Sequence, residues 1–250
     1  MALSIIDLPS SNFGPRKPVA GEVRVRHIVM HYTGMTSCQA ALDRLRDTKA
    51  EVSAHYVLDE DGTLYRLVNE EMRAWHAGTS FWHGLRDLNS TSVGIEIVNP
   101  GHDYGYRAYP AAQISTLITL ASEIMARHSI APCDVLGHSD IAPGRKVDPG
   151  ELFPWEQLAA HGIGVWPEDT VVLPGHADFN GALRRLSEIG YAVPLTSELG
   201  SDILNADSAV TDVISAFQGR FRQSKVDGVL DNETATRIAA VAVRFATARG

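Results

Sequence analysis

The sequence has few of the features that would indicate a disulfide-rich or membrane-spanning protein. Its 250 residues include only two cysteines, Cys38 and Cys133, which lie in unrelated segments and form no Cys-x-x-Cys pair. Two such residues exclude a cysteine-type zinc site, and nothing in their spacing supports a structural disulfide. The chain also has no uninterrupted apolar stretch near the roughly 18 residues that a membrane span requires. We therefore expect no membrane span.

Clustered basic residues are also lacking. The formal net charge is −8, and residues 1–178 carry 14 Lys and Arg against 22 Asp and Glu, whereas residues 179–250 carry 8 of each kind. Nucleic acids and anionic membranes are bound by clustered Lys and Arg. An acidic first part and a neutral tail therefore argue against nucleic acid or an anionic membrane as a partner. The hydrophobic content of 44% with 21% charged residues is ordinary for a globular protein.

The segment from residue 137 to residue 150 concentrates polar side chains in a loop rich in glycine and proline. Its sequence, Gly-His-Ser-Asp-Ile-Ala-Pro-Gly-Arg-Lys-Val-Asp-Pro-Gly, contains one histidine, one lysine and two aspartates. Such a loop bends sharply enough to aim several of these side chains at one point. A tight turn with solvated charges is the simpler alternative, because most exposed polar residues are only solvated.

A further histidine stands at the end of a predicted strand. Residues 23–32 are rich in Val and Ile, and the apolar run Ile28-Val29-Met30 leads directly into His31, so this imidazole would lie at the edge of a sheet. Two histidines and one aspartate would provide three nitrogen and oxygen ligands. Catalytic zinc sites use three protein ligands and keep a fourth position open for water. The pattern is therefore compatible with a catalytic zinc site.

Five motifs occur in order along the first two thirds of the chain. They are His-Tyr-Thr at 31–33, Ser-Ala-His-Tyr at 53–56, Ala-Trp-His-Ala-Gly at 74–78, Val-Gly-Ile-Glu-Ile-Val-Asn at 93–99 and the 137–150 loop. Together they resemble the type 2 N-acetylmuramoyl-L-alanine amidases, zinc enzymes that cut peptide stems from the glycan of bacterial cell wall. The match covers residues 25–167 almost without a gap, and five motifs in register are far more specific than any one of them.

The resemblance implies a role for several residues. His31, His138 and Asp148 would be the Zn²⁺ ligands, with aspartate at a position where some phage members use cysteine. Glu96 would be the general base, since it lies between Ile95 and Ile97 on a buried strand and so points to the opposite face of the sheet. Lys146 would stabilise the developing oxyanion as a point charge.

Other residues of the same motifs are candidates for contact with the substrate. We expect Trp75 and His76 to line the substrate pocket, with a role beside the metal as the alternative for His76, and Asn99 to hydrogen-bond sugar or peptide. His55 is more simply explained as a buried structural histidine. The chain departs from some relatives at Ala54, where they have a tyrosine, so the function of that tyrosine must fall to other groups here.

The fold class expected from the order of elements is α/β, with a mixed central β-sheet flanked by helices, as in the amidases and peptidoglycan-recognition proteins. The clearest helix is 111–128, where Ile114, Leu117, Ala121 and Ile124 recur at helical spacing. A second helix is predicted over 39–50. An Asp-Gly pair at 61–62 predicts a hairpin between two of the strands. The predicted strands are 23–32, 53–59, 63–68, 93–98 and 134–137.

The sequence changes in composition after Trp166. We expect a catalytic domain over 1–167, a linker over 168–178 and a small all-α domain over 179–250 with three helices near 179–190, 206–222 and 232–248. The linker is indicated by the chain breakers Pro167 and Pro174-Gly175, which bound the run between them. The segment 226–234, Val-Asp-Gly-Val-Leu-Asp-Asn-Glu-Thr, resembles the three-helix peptidoglycan-binding domain attached to wall hydrolases. A generic helical hairpin is the alternative.

The expected activity is hydrolysis of the amide bond between N-acetylmuramic acid and L-alanine in peptidoglycan or muropeptides. Two alternatives are a non-catalytic muropeptide receptor on the same fold, which would typically lack a zinc ligand, and a zinc peptidase acting on another stem-peptide bond. Polymeric wall lies in the periplasm, so we expect that location. Residues 1–18 show no readable secretory signal, which keeps the cytoplasm as the alternative. The sequence does not indicate the oligomeric state.

Overall fold

The computed structural model describes residues 3–19, 21–167, 178–193 and 203–249, and side chains are described from residue 208 onward in the last of these ranges. Within these ranges the chain forms eight strands. They are β1 (Ile5–Asp7), β2 (Phe13–Pro15), β3 (His27–Tyr32), β4 (Tyr56–Leu58), β5 (Leu64–Arg66), β6 (Met72–Ala74), β7 (Ser92–Ile97) and β8 (Val135–Gly137).

Helices follow or connect most of these strands. They are α1 (Cys38–Arg46), α2 (Leu88–Thr91), α3 (Gly101–Tyr104), α4 (Ala111–His128), α5 (His138–Ile141), α6 (Trp155–Ala159), α7 (Phe179–Ile189), α8 (Ile203–Phe221) and α9 (Asn232–Arg249). The predicted helix 111–128 is observed at those residues. The predicted helix 39–50 ends earlier, at residue 46, because the backbone turns extended at Asp47. None of the helices in the described part is long and apolar enough to span a membrane.

Six strands form one mixed sheet in the order β1-β5-β4-β7-β3-β8. The strands β4, β7, β3 and the edge strand β8 are parallel to one another, and β5 runs antiparallel to β4, so the hairpin predicted at Asp61-Gly62 is confirmed. β2 and β6 form a separate two-stranded sheet. The expected fold class, α/β with a mixed central sheet, is confirmed. The short strands β1, β2 and β6 were not predicted, because three residues carry too little periodicity.

The two faces of the sheet have different partners. Ile28 and Met30 of β3 and Ile95 of β7 pack with the apolar side of α4 in one hydrophobic cluster. Residues between them, including Val29, point to the other face because side chains alternate along a strand. The register places His31 beside Glu96, at the carboxyl ends of two parallel strands. Ligand sites of parallel sheets lie at this end, and the site described below is found there.

The C-terminal helices pack on the second face of the sheet. Val29 of β3 and Leu136 of β8 belong to the same hydrophobic cluster as Leu186 of α7, Phe217 of α8 and Phe245 of α9. The all-α character expected for 179–250 is confirmed for its described part. The predicted linker 168–178 lies outside the described residues except for Asp178, whose side chain caps α7. Both cysteines are free thiols.

Candidate metal centre and active site

Three buried side chains meet at the carboxyl ends of β3 and β8. His31 is near the end of β3, His138 is the first residue of α5 directly after β8, and Asp148 follows in the same loop. The Nδ1 atoms of the two imidazoles are 2.9 Å apart, and each lies 3.0 Å from Oδ2 of Asp148. We call these three side chains the His-His-Asp cluster. The structure thus brings together the three residues expected as metal ligands.

The contact made by Nε2 of His138 indicates which of the two ring nitrogens bears the proton. Its Nε2 lies 3.1 Å from the carbonyl oxygen of Ala77. A carbonyl oxygen only accepts, so Nε2 carries the proton and donates it. In the neutral ring Nδ1 then has a free lone pair, and this lone pair points at the other two members of the cluster. A backbone carbonyl that fixes the ring in this way is typical of histidine ligands to metals.

A chain of three side chains fixes His31 in the same tautomer. Ser92 donates its hydroxyl proton to the Leu88 carbonyl oxygen at 2.5 Å, so its oxygen accepts from Nε2 of His76 at 3.2 Å. The Nδ1 atom of His76 therefore has the lone pair and accepts from Nε2 of His31 at 2.9 Å. This leaves Nδ1 of His31 unprotonated. We call Ser92, His76 and His31 the histidine relay.

Burial keeps the relay neutral. Loss of solvent, followed by the charge of His138, lowers the pKa of His31 to about 4. Burial also lowers the pKa of His76 well below its ordinary value. Both rings are thus neutral near pH 7, which is the state that binds a metal ion. Three donor atoms without protons, one of them on a carboxylate, converge in a buried position, and this arrangement fits a cation.

Glu96 lies beside the cluster on β7. Its side chain occupies the face away from Ile95 and Ile97, as the alternation of the strand predicts. Its Oε2 atom is buried and has no hydrogen-bond partner in the part of the chain that the structure describes. Burial, reinforced by the charge of Asp148, raises the pKa of Glu96 well above its ordinary value. A carboxyl group with a raised pKa is a stronger proton acceptor than an ordinary glutamate, which suits a general base.

A cleft of about 420 Å³ opens over these groups. It is lined by all three members of the cluster together with Glu96 and Lys146. Lys146 lies in the loop two residues before Asp148, where its half-buried side chain places a positive charge at the cleft. The structure therefore brings together the five residues that the sequence assigned to metal binding and catalysis.

The three residues expected to contact substrate have different surroundings. His76 lines the cleft but uses both ring nitrogens within the histidine relay. Asn99 is buried. Its Nδ2 atom donates to the carbonyl oxygen of Arg107, and its Oδ1 atom accepts from the backbone amide of Gly101. Trp75 is half-buried. Trp75 and Asn99 are not among the residues that line the cleft, so direct contact between these two and a substrate stays a prediction.

Some residues of the site were missed in the sequence. Ser92 is a polar residue at the start of a buried strand, and that position was the only available signal for it. Arg145 donates to the carbonyl oxygens of Ala77 and Thr79. These bonds connect the loop at residues 137–150, which we call the metal loop, to the segment after His76. His55, expected to be structural, is buried and accepts from the amide of Gly94 at 2.9 Å.

Comparisons with known proteins identify the family of this chain. The family described as N-acetylmuramoyl-L-alanine amidase matches residues 21–151. N-acetylmuramoyl-L-alanine amidase AmiD of Escherichia coli K12 is 38% identical over 239 residues, which cover 88% of this chain and 83% of AmiD. 1,6-Anhydro-N-acetylmuramyl-L-alanine amidase AmpD of Citrobacter freundii is 38% identical over 109 residues, covering 44% of this chain and 56% of AmpD.

Two solved structures have the same fold over most of their length. The complex of E. coli AmiD with the substrate anhydro-N-acetylmuramic acid-L-Ala-D-γ-Glu-L-Lys has a TM-score of 0.77 at 36% identity, covering 92% of this chain and 93% of AmiD. AmpDh3 of Pseudomonas aeruginosa, in complex with anhydromuramic pentapeptide, also has a TM-score of 0.77, at 34% identity, covering 92% of this chain and 96% of AmpDh3. Since the family match spans more than half of the chain, including β3, β7, β8 and the whole metal loop, this chain belongs to the N-acetylmuramoyl-L-alanine amidase family.

Proposed function

We propose that this protein hydrolyses the amide bond between N-acetylmuramic acid and L-alanine with a zinc ion held by His31, His138 and Asp148. The observation that carries the proposal is the convergence of two imidazole nitrogens and one carboxylate oxygen in a buried position. The histidine relay and the Ala77 carbonyl group aim both Nδ1 lone pairs at that position. An amide hydrolase needs a proton acceptor beside such a centre, and Glu96 lies there.

The donor set fits zinc better than it fits the hard cations. Zinc binds imidazole nitrogen and carboxylate oxygen, whereas magnesium and calcium prefer oxygen ligands. Structural zinc sites have four protein ligands, and the group in the described part of the chain has three, as catalytic sites do. When bound, zinc supplies a Lewis acid that activates water and polarises the carbonyl group under attack.

Glu96 is proposed as the general base and then the general acid. Its carboxylate would accept a proton from the attacking water and deliver it to the departing nitrogen of L-alanine. Two observations support this role. The Oε2 atom has no hydrogen-bond partner among the described residues to hold it in one protonation state, and burial raises the pKa of Glu96 well above its ordinary value. Both properties suit a group that accepts a proton and then releases it.

Lys146 is proposed to stabilise the negative charge that develops on the carbonyl oxygen. Its ammonium group lines the same cleft as Glu96 and the cluster. A fixed positive charge in a site partly shielded from water interacts more strongly with a developing oxyanion than it would in bulk solvent. Since this charge grows during the reaction, Lys146 would contribute more to turnover than to substrate affinity.

The proposed substrates are muropeptides that carry an anhydromuramyl sugar, together with the wall polymer. Support for the former comes from the AmiD and AmpDh3 complexes, whose ligands are anhydromuramyl peptides. Support for the latter comes from the sequence of residues 226–234, which resembles a wall-binding module. We propose that residues 179–250 bind peptidoglycan and that the protein acts in the periplasm, where that polymer lies.

One experiment tests the metal and the bond together. The protein is dialysed against a zinc chelator, reconstituted with zinc, and incubated with anhydro-N-acetylmuramic acid-L-Ala-D-γ-Glu-L-Lys. We expect mass spectrometry to show free tripeptide and anhydro-N-acetylmuramic acid only after zinc is restored. His31→Ala, His138→Ala and Asp148→Ala should each lose bound zinc, because three ligands cannot spare one.

Two results would contradict the proposal in different ways. Full activity of the metal-free protein would remove zinc from the mechanism. Release of a shorter peptide, with L-alanine still attached to the sugar, would assign the enzyme to another bond of the stem. His161→Ala is a suitable control for the three ligand variants, since this exposed histidine lies outside the cleft and should leave zinc binding unchanged.

A further inference from the structure

Asp140 is a fully buried carboxylate in the metal loop that no step of the proposed reaction uses. It is the third residue of α5, and the first residue of that helix is His138. Its Oδ2 atom accepts from the backbone amide of Gly137 at 2.8 Å, directly before His138. Asp140 is thus hydrogen-bonded to the short segment that carries one of the cluster's imidazoles.

The other partners of Asp140 come from the C-terminal helices. The hydroxyl group of Tyr191, just after α7, donates to Oδ1 at 2.6 Å. Arg220 of α8 donates from Nη1 to Oδ2 at 2.5 Å, and both side chains of this ion pair are almost completely buried. Burial, followed by the charge of Asp140, raises the pKa of Tyr191 well above its ordinary value, so the phenol keeps the proton that it donates.

Arg220 also reaches two other parts of the catalytic region. Its Nη2 atom donates to the carbonyl oxygen of Val135 on β8 at 3.0 Å. Its guanidinium carbon lies 4.1 Å from the centre of the Trp155 ring at the start of α6. A planar guanidinium with several fixed donors can hold such a junction rigidly. We call Tyr191, Arg220 and Asp140 the carboxylate clamp.

The clamp matters because α5 cannot hold itself in place. A helix of four residues gains almost nothing from its own hydrogen bonds. A buried carboxylate is tolerated only when it is fully paired, and removal of one partner leaves an uncompensated charge. The pairing of Asp140 therefore restrains the position of α5, and with it the direction of the His138 ring.

We propose that Tyr191 and Arg220 are positioning residues for the metal ligand His138. On this proposal the C-terminal helices set the geometry of the metal centre through Asp140, whatever contact they make with substrate. The inference rests on the proposed function in one respect, namely that His138 binds the metal. Groups that orient a metal ligand are worth roughly 10–100-fold in metal affinity, and a clamp acting one residue further away should lie near the lower end.

The test compares two tyrosines in the whole chain of 250 residues. Tyr191→Phe removes one hydroxyl group from the clamp. Tyr56→Phe is the matched control, because its hydroxyl also donates to a carboxylate, that of Glu70, at 2.6 Å, while its ring packs in the cluster on the opposite face of the sheet. Zinc affinity is measured by competition with a chromophoric chelator, ligand geometry by the visible spectrum of the cobalt-substituted protein, and stability by thermal unfolding of the metal-free protein.

We expect Tyr191→Phe to weaken zinc binding by about tenfold and to change the cobalt spectrum. Tyr56→Phe should lower the unfolding temperature without changing either metal property. If Tyr191→Phe lowers only the unfolding temperature, the clamp is structural and the proposal is overturned. If the unchanged protein binds no zinc, the proposed function fails first, so the two failures are distinguishable.

Variants that remove the charges of the Asp140–Arg220 ion pair provide an independent test of the proposal. Arg220→Met leaves Asp140 buried without its counter-charge, and Asp140→Asn with Arg220→Met removes both charges together. We expect the single variant to bind zinc more weakly than the double variant, because the uncompensated carboxylate distorts α5. Equal zinc affinity in the single variant, the double variant and the unchanged protein would overturn the proposal. If the single variant fails to fold, the double variant and Tyr191→Phe still decide the question.

Discussion

At the scale of single residues, the surroundings decide which of the ten histidines can serve the reaction. His31 and His138 present unprotonated Nδ1 atoms to one position because each Nε2 donates elsewhere. His55, equally buried, uses both ring nitrogens within the core, and burial, followed by the charge of Arg16, lowers its pKa to about 3. The same residue type is thus a candidate ligand in one place and a packing element in another.

The first prediction at this scale concerns Glu96→Gln. The amide has nearly the same shape as the carboxyl group but cannot carry a proton between water and the leaving nitrogen. We expect kcat to fall by about 10²–10⁴-fold, the usual contribution of general acid–base catalysis, while zinc content is unchanged. Turnover and bound zinc are measured on the same preparation. A loss of less than tenfold would remove Glu96 from this role.

The raised pKa of Glu96 also predicts how stability depends on pH. A carboxyl group whose pKa is higher in the folded than in the unfolded state binds more protons when folded, so stability falls as pH rises from the unfolded pKa of 4.5 toward the folded pKa. Glu96→Gln removes this pH-dependent loss of folding stability, because glutamine does not ionise. We expect the metal-free variant to unfold at a higher temperature than the parent at pH 7, and the difference to shrink at pH 4. A variant less stable than the parent at pH 7 would contradict the raised pKa.

Ser92→Ala tests the histidine relay. Without the hydroxyl oxygen, Nε2 of His76 loses its acceptor, so neither His76 nor His31 is held in the tautomer that exposes Nδ1 of His31. We expect zinc affinity to fall by about tenfold. Ser90→Ala is the control, since this buried serine bonds Asp87 and Arg73 instead. Unchanged affinity in Ser92→Ala would mean that packing alone orients His31.

At the scale of elements, β7 is the strand on which the site depends most. Its odd-numbered residues from Val93 to Ile97 face α4, and its even-numbered residues face the metal side. Ser92, Gly94 and Glu96 therefore lie in a row, the first supporting His76, the second beneath its ring and the third in the cleft. The alternation of the strand, read from the sequence, is what places a carboxylate beside the predicted ligands.

Gly94→Ala tests this arrangement. A Cβ atom at residue 94 would lie 2.4 Å from Cγ of His76, a distance that forces the imidazole to move. We expect loss of measurable zinc binding together with destabilisation of about 1–3 kcal/mol, the usual cost of an overpacked site. Zinc titration and urea unfolding measure the two effects. Gly14→Ala in β2 is the control, because a Cβ atom there meets nothing within 4 Å.

At the scale of the whole molecule, one hydrophobic cluster joins the sheet and the C-terminal helices. Phe217 and Phe245 of the tail belong to it together with Val29 and Leu136 of the sheet. Residues 1–167 and 179–250 were expected to be separate domains from the change in composition. Separate domains would unfold independently. A shared apolar interface couples the stability of the two parts. We therefore expect residues 1–167 and 179–250 to unfold together.

Phe217→Ala tests this coupling. Removal of a fully buried phenylalanine costs about 3–5 kcal/mol of unfolding free energy. In the cobalt-substituted protein, we expect the visible band of the metal centre and the far-ultraviolet signal of the helices to disappear in one transition at a lowered temperature. If the metal band keeps its original midpoint, the tail is an independent domain. Phe179→Ala is the control, since half of that side chain is exposed.

The local pattern of the sequence was enough to predict the parts of this protein that depend on neighbouring residues. The α4 helix, the hairpin at Asp61-Gly62 and the buried strand that carries Glu96 follow from periodicity and turn chemistry, which act over a few residues. The ligand set followed from resemblance rather than from geometry, because His31 and Asp148 are separated by 117 positions in the chain.

Only the tertiary structure decided how those residues are held. The side-chain partners of Asp140 lie 51 and 80 positions away, and nothing in the local sequence of Tyr191 or Arg220 indicates a buried carboxylate. Asn99 shows the same dependence, since its side-chain amide bonds the backbone at Gly101 and Arg107, two contacts that the local sequence does not indicate. Hydrogen-bond partners of this kind are fixed by packing, because a buried polar group must be satisfied by whatever the fold brings beside it.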